Sequence, residues 1–200
     1  MLKLSFQGWH YCILVLVSEL LPGYTIRSGS RFDRALLIKF MQLTYQELFP
    51  EQDFSHLART VEQFFSQETP LWWVDFIGKP NKIDLGNKEA FHSPPASPAS
   101  PASPASPAPI ACLWVGNAID QVRGDRHANI FLLYVKPEHR RLGIGTALMR
   151  YVENWAMDRG DRFIGLQVFE SNTAALNLYH QLGYQTQSLW MIKPIRNEDS

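Results

Sequence analysis

The chain has 200 residues, which suits one domain, and 46% of them are apolar, enough to bury a sizeable core. Its 19 lysines and arginines are balanced by 19 aspartates and glutamates. With no surplus of cations to neutralise phosphates along a strand, no nucleic-acid partner is expected, while small ligands and protein partners stay open.

Residues 1–21 begin with Lys3 and an apolar run over 11–17, which has the outline of a signal peptide. Glu19 interrupts it, no small-x-small cleavage site follows, and the run is too short to span a bilayer, so no membrane role is expected. The segment reads either as a strand or helix packed on the domain or as a leader. From residue 22 to about 196 the pattern fits one domain. Residues 24–27 read as a strand and 28–30 as a turn. A helix over about 33–48 carries Leu37, Phe40, Met41, Thr44 and Leu48 on one face, and Pro50 lies just beyond it. A second helix follows Asp53, with Leu57, Val61, Phe64 and Phe65 at helical spacing, and Pro70 stops it. Residues 71–77, rich in aromatic and β-branched side chains, read as a strand.

The composition then changes. Residues 93–109 are almost wholly Ser, Pro and Ala in an Ala-Ser-Pro repeat without residues that could build a core, so a disordered, extended loop is expected over about 79–109. Strands are expected again at 111–115 and 129–135, with turn chemistry at Gly124-Asp125 between them. Trp72, Trp73, Trp114 and Trp190 either line a ligand cleft or fill the core, and core is the commoner fate of large aromatics. Cys12 and Cys112 are too few for a disulfide framework. With no Cys/His cluster either, no metal is expected and a reducing, cytoplasmic setting fits.

The strand ending at Val135 runs through Lys136-Pro137-Glu138-His139 into Arg140-Arg141-Leu142-Gly143-Ile144-Gly145. An amphipathic helix comes next, with Leu148, Tyr151, Val152 and Trp155 on one face and Gly160 as its stop. Strand, glycine loop and helix in that order make an anion site. Glycines let the backbone approach a phosphate, and the first helical N–H groups point at it. A Walker A loop would need lysine between Gly145 and Thr146, and a dinucleotide loop would need glycine where Leu148 stands, so neither applies.

Leu133-Tyr134-Val135-x-Pro137 followed by Arg140-x-x-Gly143-x-Gly145 resembles the acetyl-CoA signature of the GCN5-related N-acetyltransferases (GNAT family). Residues 163–169 look like that family's next strand. Residues 171–184, in which Asn172 opens a helix carrying Tyr179 and Leu182-Gly183-Tyr184 ends it, look like its second motif. The resemblance implies an α/β fold with a mixed, mostly antiparallel central sheet flanked by helices, in which two splayed parallel strands form the cofactor cleft. It implies acetyl-CoA as co-substrate and a primary amine of a small molecule or protein as acceptor, and it leaves a homodimer open. The pyrophosphate would sit on the amides of Arg141, Leu142, Gly143, Ile144 and Gly145, with Arg140 and Thr146 at the ends of the cradle. The pantetheine arm would run beside Leu133, Tyr134 and Val135. Asn172 would contact that arm, and Tyr179 would be the general acid. Gln167 occupies the place where ribosomal-protein N-terminal acetyltransferases carry a glutamate, and an amide cannot accept the proton. Water relay is therefore expected, with Asp75, Glu138 and Glu170 as the carboxylates to weigh. The alternative reading is a catalytically silent acyl-CoA-binding regulatory module.

Overall fold

The computed structural model describes residues 17–78 and 108–195. Cys12, the apolar run over 11–16 and most of the Ala-Ser-Pro tract lie outside the described residues. The chain divides into two compact units, Met1–Leu166 and Gln167–Ser200.

The first unit is built on a six-stranded sheet in the order β1 (Val17–Leu21), β2 (Tyr24–Ser28), β3 (Leu71–Phe76), β4 (Ala111–Ile119), β5 (Arg126–Val135) and β6 (Ile164–Leu166). The first five are antiparallel to their neighbours, and β6 alone runs parallel to β5. This is the mixed, mostly antiparallel sheet that the resemblance implied. The segment over 17–21, left between strand, helix and leader by its sequence, is a strand at the sheet edge, joined to β2 by a turn at Gly23 (φ 82°).

Between β2 and β3 lie α1 (Arg34–Leu48) and α2 (Leu57–Phe64). A capping box opens the way into α1. Ser30 Oγ accepts from Phe32 N–H, and Asp33 accepts from Ser30 N–H at 2.6 Å. Because successive strand residues face opposite sides of a sheet, Trp72 and Trp73 serve different layers. Trp73, fully buried, packs edge-on against Phe40 of α1 (ring centroids 5.1 Å apart). Trp72 packs against Tyr151 and Trp155 of α3 (Ile144–Asp158), both at 5.4 Å. The sheet is thus sandwiched between α1 and α2 on one face and α3 on the other. Trp114 joins the α1–α2 side of the core with Leu37, Met41 and Val61.

Two features of β4 and β5 differ from the sequence expectation. β4 does not end at Val115 but continues through Gly116 to Ile119. Its pairing with β5 slips between Trp114↔Leu132 and Val115↔Ile130, leaving Phe131 as an extra residue. Such a bulge bends and twists the strand that carries it. Parallel pairing with β6 covers Ala128↔Ile164, Asn129↔Gly165 and Ile130↔Leu166, and stops where the bulge begins. The strand expected over 163–169 is therefore only three residues long. The ladder with β6 ends at Ile130↔Leu166, and β5 continues to Val135 without it.

On the α1–α2 face Asp75 is buried (7% exposed), and its Oδ2 accepts from Arg27 Nε of β2 at 2.6 Å. No helix among the described residues is long and apolar enough to cross a membrane.

The second unit contains α4 (Thr173–Gln181). Asn172 caps it, its side-chain oxygen accepting from Ala175 N–H at 3.1 Å, and Gly183 (φ 88°) follows its end. Trp190, for which a core position was favoured, is 81% exposed, as are its apolar neighbours Leu189, Met191 and Ile192.

Candidate active site

The open half of β5, from Phe131 to Val135, leads directly into the glycine loop. A short 3-10 turn over Pro137–His139 comes first, with Tyr24 Oη 3.1 Å from His139 Nδ1 fixing it against β2. Arg140 is extended (φ −75°, ψ 163°). Arg141 is left-handed at φ 62°, the one non-glycine residue with positive φ among those described, and Gly143 is left-handed at φ 83°. Arg141 and Leu142 are exposed, while Ile144 is buried under α3.

Gly143 is the N-cap of α3, and having no side chain it makes no capping bond. Among the described residues the first amide of this helix to reach a backbone carbonyl is that of Ala147, which donates to Gly143 O at 2.9 Å. The preceding amides, through Ile144, Gly145 and Thr146, are the uncompensated donors of a helix start. Together with the amides around left-handed Arg141 they form a concave array of donors at the positive end of a 15-residue helix. Such an array can hold a phosphate or pyrophosphate without any metal. Among the described residues no group of His, Cys, Asp and Glu could hold one.

Leu133 and Val135 are half-buried on one face of β5, and Tyr134 is buried on the other. The Tyr134 ring stands in the α1–α2 core, edge-on to Phe40 at 5.5 Å, so only its main chain faces the open edge of the strand. Its hydroxyl donates to Glu47 Oε1 of α1 at 2.8 Å. Burial, and then that carboxylate, push its phenol well above the ordinary tyrosine range. Arg140 is exposed, but its guanidinium is engaged within the chain. Its Nε donates to Val135 O at 2.7 Å, and its Nη2 donates to both carboxylate oxygens of Glu47, at 2.8 and 2.7 Å. Glu47 escaped the sequence analysis. It falls about two turns beyond Phe40 and one beyond Thr44 on α1, at an exposed position, and its partner lies 93 residues further on.

The other expected site residues fall as follows. Asn172 and Tyr179 belong to the second unit. Asn172 has its side-chain oxygen engaged in the helix cap, and Tyr179 is half-buried with its ring 5.9 Å from that of Tyr184. Burial pushes the Tyr179 phenol up to about 12, so it stays protonated at neutral pH. Of the carboxylates weighed as bases, Asp75 is tied to Arg27 inside the α1–α2 layer, and Glu138 and Glu170 are exposed. Gln167 is exposed as well. A separate open hollow of about 510 Å³ at the other end of β5 is bordered by Arg126, Trp155 and Arg159. Its arginines are bound to Asp161, and Arg159 also donates to Asn117, so that corner is an internally bonded network.

The parallel pair of β5 and β6 and the glycine-rich loop before α3 are the features on which the resemblance places a cofactor cleft. Residues 107–184 match the model of the acetyltransferase (GNAT) family. It is 50% identical over 52 residues to acetyl transferase GW6a of Oryza sativa subsp. japonica, covering 26% of this chain and 12% of that one. It is 42% identical over 59 residues to the thialysine N-epsilon-acetyltransferase of Bos taurus, covering 28% of this chain and 35% of that one. The chain thus spans little more than a third, at most, of the length of these two curated relatives. Its fold is shared with the crystal structure of a predicted acetyltransferase with acetyl-CoA from Clostridium acetobutylicum. That likeness has a TM-score of 0.60 and 15% identity, over 86% of this chain and 96% of the other.

Proposed function

We propose that this chain is an acetyl-CoA-dependent N-acetyltransferase that transfers an acetyl group to a primary amine of a small molecule or protein by direct attack. The observation that carries the reading is the cradle itself. An uncapped α3 N-terminus, with left-handed Arg141 and Gly143 before it, follows immediately on the half of β5 that β6 leaves unpaired. The cradle amides would take the cofactor pyrophosphate. The free edge of β5 at Leu133–Val135 offers backbone donors and acceptors to the amide-bearing pantetheine arm, as an unpaired strand edge does for any extended chain. Asn172 and Tyr179 take the roles their motif implies.

In the proposed reaction the amine nitrogen attacks the thioester carbonyl, and the C–S bond then breaks as the leaving sulfur receives a proton. Tyr179, protonated because burial raises its pKa to about 12, is the donor. The proton lost by the amine goes to water, because the neutral side chain at Gln167 cannot accept it. The test is thiol release from acetyl-CoA over a panel of primary amines. Turnover that Tyr179→Phe lowers by about a hundredfold, with cofactor affinity held, is the expected result. CoA binding without turnover of any amine would favour the silent module instead.

A further inference from the structure

Arg140 belongs to the signature of the glycine loop, yet its charge is paired within the chain, at the surface. Its Nη2 is held by both oxygens of Glu47, its Nε by the carbonyl of Val135, and its guanidinium carbon lies 5.4 Å from the centre of the Tyr134 ring. Tyr134 Oη donates to the same carboxylate. One residue of α1 therefore ties together the last strand residues before the loop and the first loop residue. The next residue, Arg141, holds a left-handed backbone that a side chain disfavours. Such a conformation persists only where its surroundings impose it. On the N-terminal side the restraints are the bond from Arg140 N–H to Pro137 O at 3.2 Å and the Arg140 side-chain clamp. On the C-terminal side glycine at 143 absorbs the turn into α3.

We propose that Glu47 is a positioning residue for cofactor binding: by gripping Arg140 it fixes the loop with its amides already aimed at the phosphates. The inference rests on the acetyl-CoA reading given above. It assigns the Arg140 charge to Glu47 and leaves the phosphates to the backbone amides and Arg141. This makes a prediction of opposite sign to direct phosphate contact. If Arg140 served as a free cation held back by Glu47, neutralising Glu47 would release it and tighten binding. If Glu47 is the grip, neutralising it loosens the loop and weakens binding.

The experiment measures CoA affinity by titration calorimetry for the full chain and for Glu47→Gln, Arg140→Gln, Arg140→Lys and the Glu47→Gln/Arg140→Gln double variant. Melting temperature and hydrogen exchange over residues 141–146 are followed without ligand. Glu47→Gln is expected to raise Kd about tenfold, with faster exchange in the loop. Arg140→Lys, which keeps the charge but loses the fork, should behave like Arg140→Gln, and the double variant should be no worse than the poorer single. The pair is more than a third exposed on both sides, so the melting temperature should barely move. Unchanged or tighter CoA binding by Glu47→Gln would overturn the inference and leave the cofactor reading standing. A wild-type chain that binds no CoA would overturn both.

Discussion

Gly116 lies on β4 where Phe131 bulges out of β5, and the two positions depend on each other. A Cβ built at Gly116 would come within 2.1 Å of Phe131 Cε2 and 2.4 Å of its Cζ. Reaching ordinary contact requires the ring to withdraw by about 1.3 Å. Its withdrawal disturbs the contacts with Trp114, 4.8 Å from its centroid, and Phe64, at 5.7 Å. Gly116→Ala must therefore displace the bulge backbone or break the aromatic cluster, an overpacking cost of about 2 kcal/mol. For an ordered region of this size that corresponds to a fall of about 4–8 °C in melting temperature. Because the bulge sets where β5 leaves β6, CoA affinity should fall along with stability. Thermal and urea melts of Gly116→Ala check the first effect, and calorimetric titration checks the second. The Gly116→Ala/Phe131→Leu double variant should recover part of the loss by removing the clashing ring atoms. A single variant within about 0.5 kcal/mol of wild type would refute the packing argument.

At Gly143 the space is open, with only Leu21 Cδ1 at 4.0 Å from a built Cβ, so Gly143→Ala should cost the left-handed backbone alone, about 1–2 kcal/mol by chemical denaturation, and weaken CoA binding. Arg27→Ala removes the partner of a carboxylate that is 7% exposed and should destabilise by about 3 kcal/mol in a urea melt, whereas replacing the exposed Arg162, paired with Asp125 at 3.7 Å, should change little. The phenol of Tyr179 is raised in the folded chain to about 12, so its contribution to stability is present below its unfolded value near 10 and is lost as pH rises from there to about 12. A rate profile should accordingly show no loss of the proton donor at pH 10, and an alkaline fall centred there would contradict a buried, neutral tyrosine.

Local patterns carried much of the fold. The stripe of Leu37, Phe40 and Met41 in α1 is buried as its spacing required, and the turns at Gly124 and Gly160 are left-handed glycines. The strand, glycine loop and helix over 126–158 were readable because they are contiguous in the chain. What escaped is what depends on distant partners. Gly116 looked like the end of a strand, but β4 passes through it because a ring from another strand occupies the space a side chain would need. The bulge at Phe131 left no local mark, since residues 130–135 form an unbroken apolar run in which a change of face cannot be seen. The brevity of β6 follows from that bulge, and so it too was invisible. The grip of Glu47 on Arg140 joins residues 93 apart and has no periodicity to betray it. Arg140 could be placed in the signature, but not its side chain, which turns to Glu47.

The residues proposed for cofactor binding and for proton donation lie in different units, which bears on how each role can fail. The phosphate cradle lies wholly within Met1–Leu166, whereas the proposed acid lies within Gln167–Ser200. Binding and proton donation should therefore be separable by substitution: changes at Glu47, Arg140 or Gly143 act on cofactor affinity, and those at Tyr179 act on turnover. The acid is also a demanding one. A phenol raised to about 12 could not protonate a fully formed thiolate, whose conjugate acid has a pKa of about 8.5, except uphill by several pH units. Sulfur still bonded to carbon is less basic than the free thiolate, so the phenol can only share its proton by hydrogen bonding as negative charge builds on the departing sulfur. In the proposed reaction Tyr179 must therefore act during C–S cleavage rather than after it, and its effect depends on alignment with the sulfur more than on acidity. Raising the acidity of this phenol by ring fluorination should then change the rate far less than removing its hydroxyl.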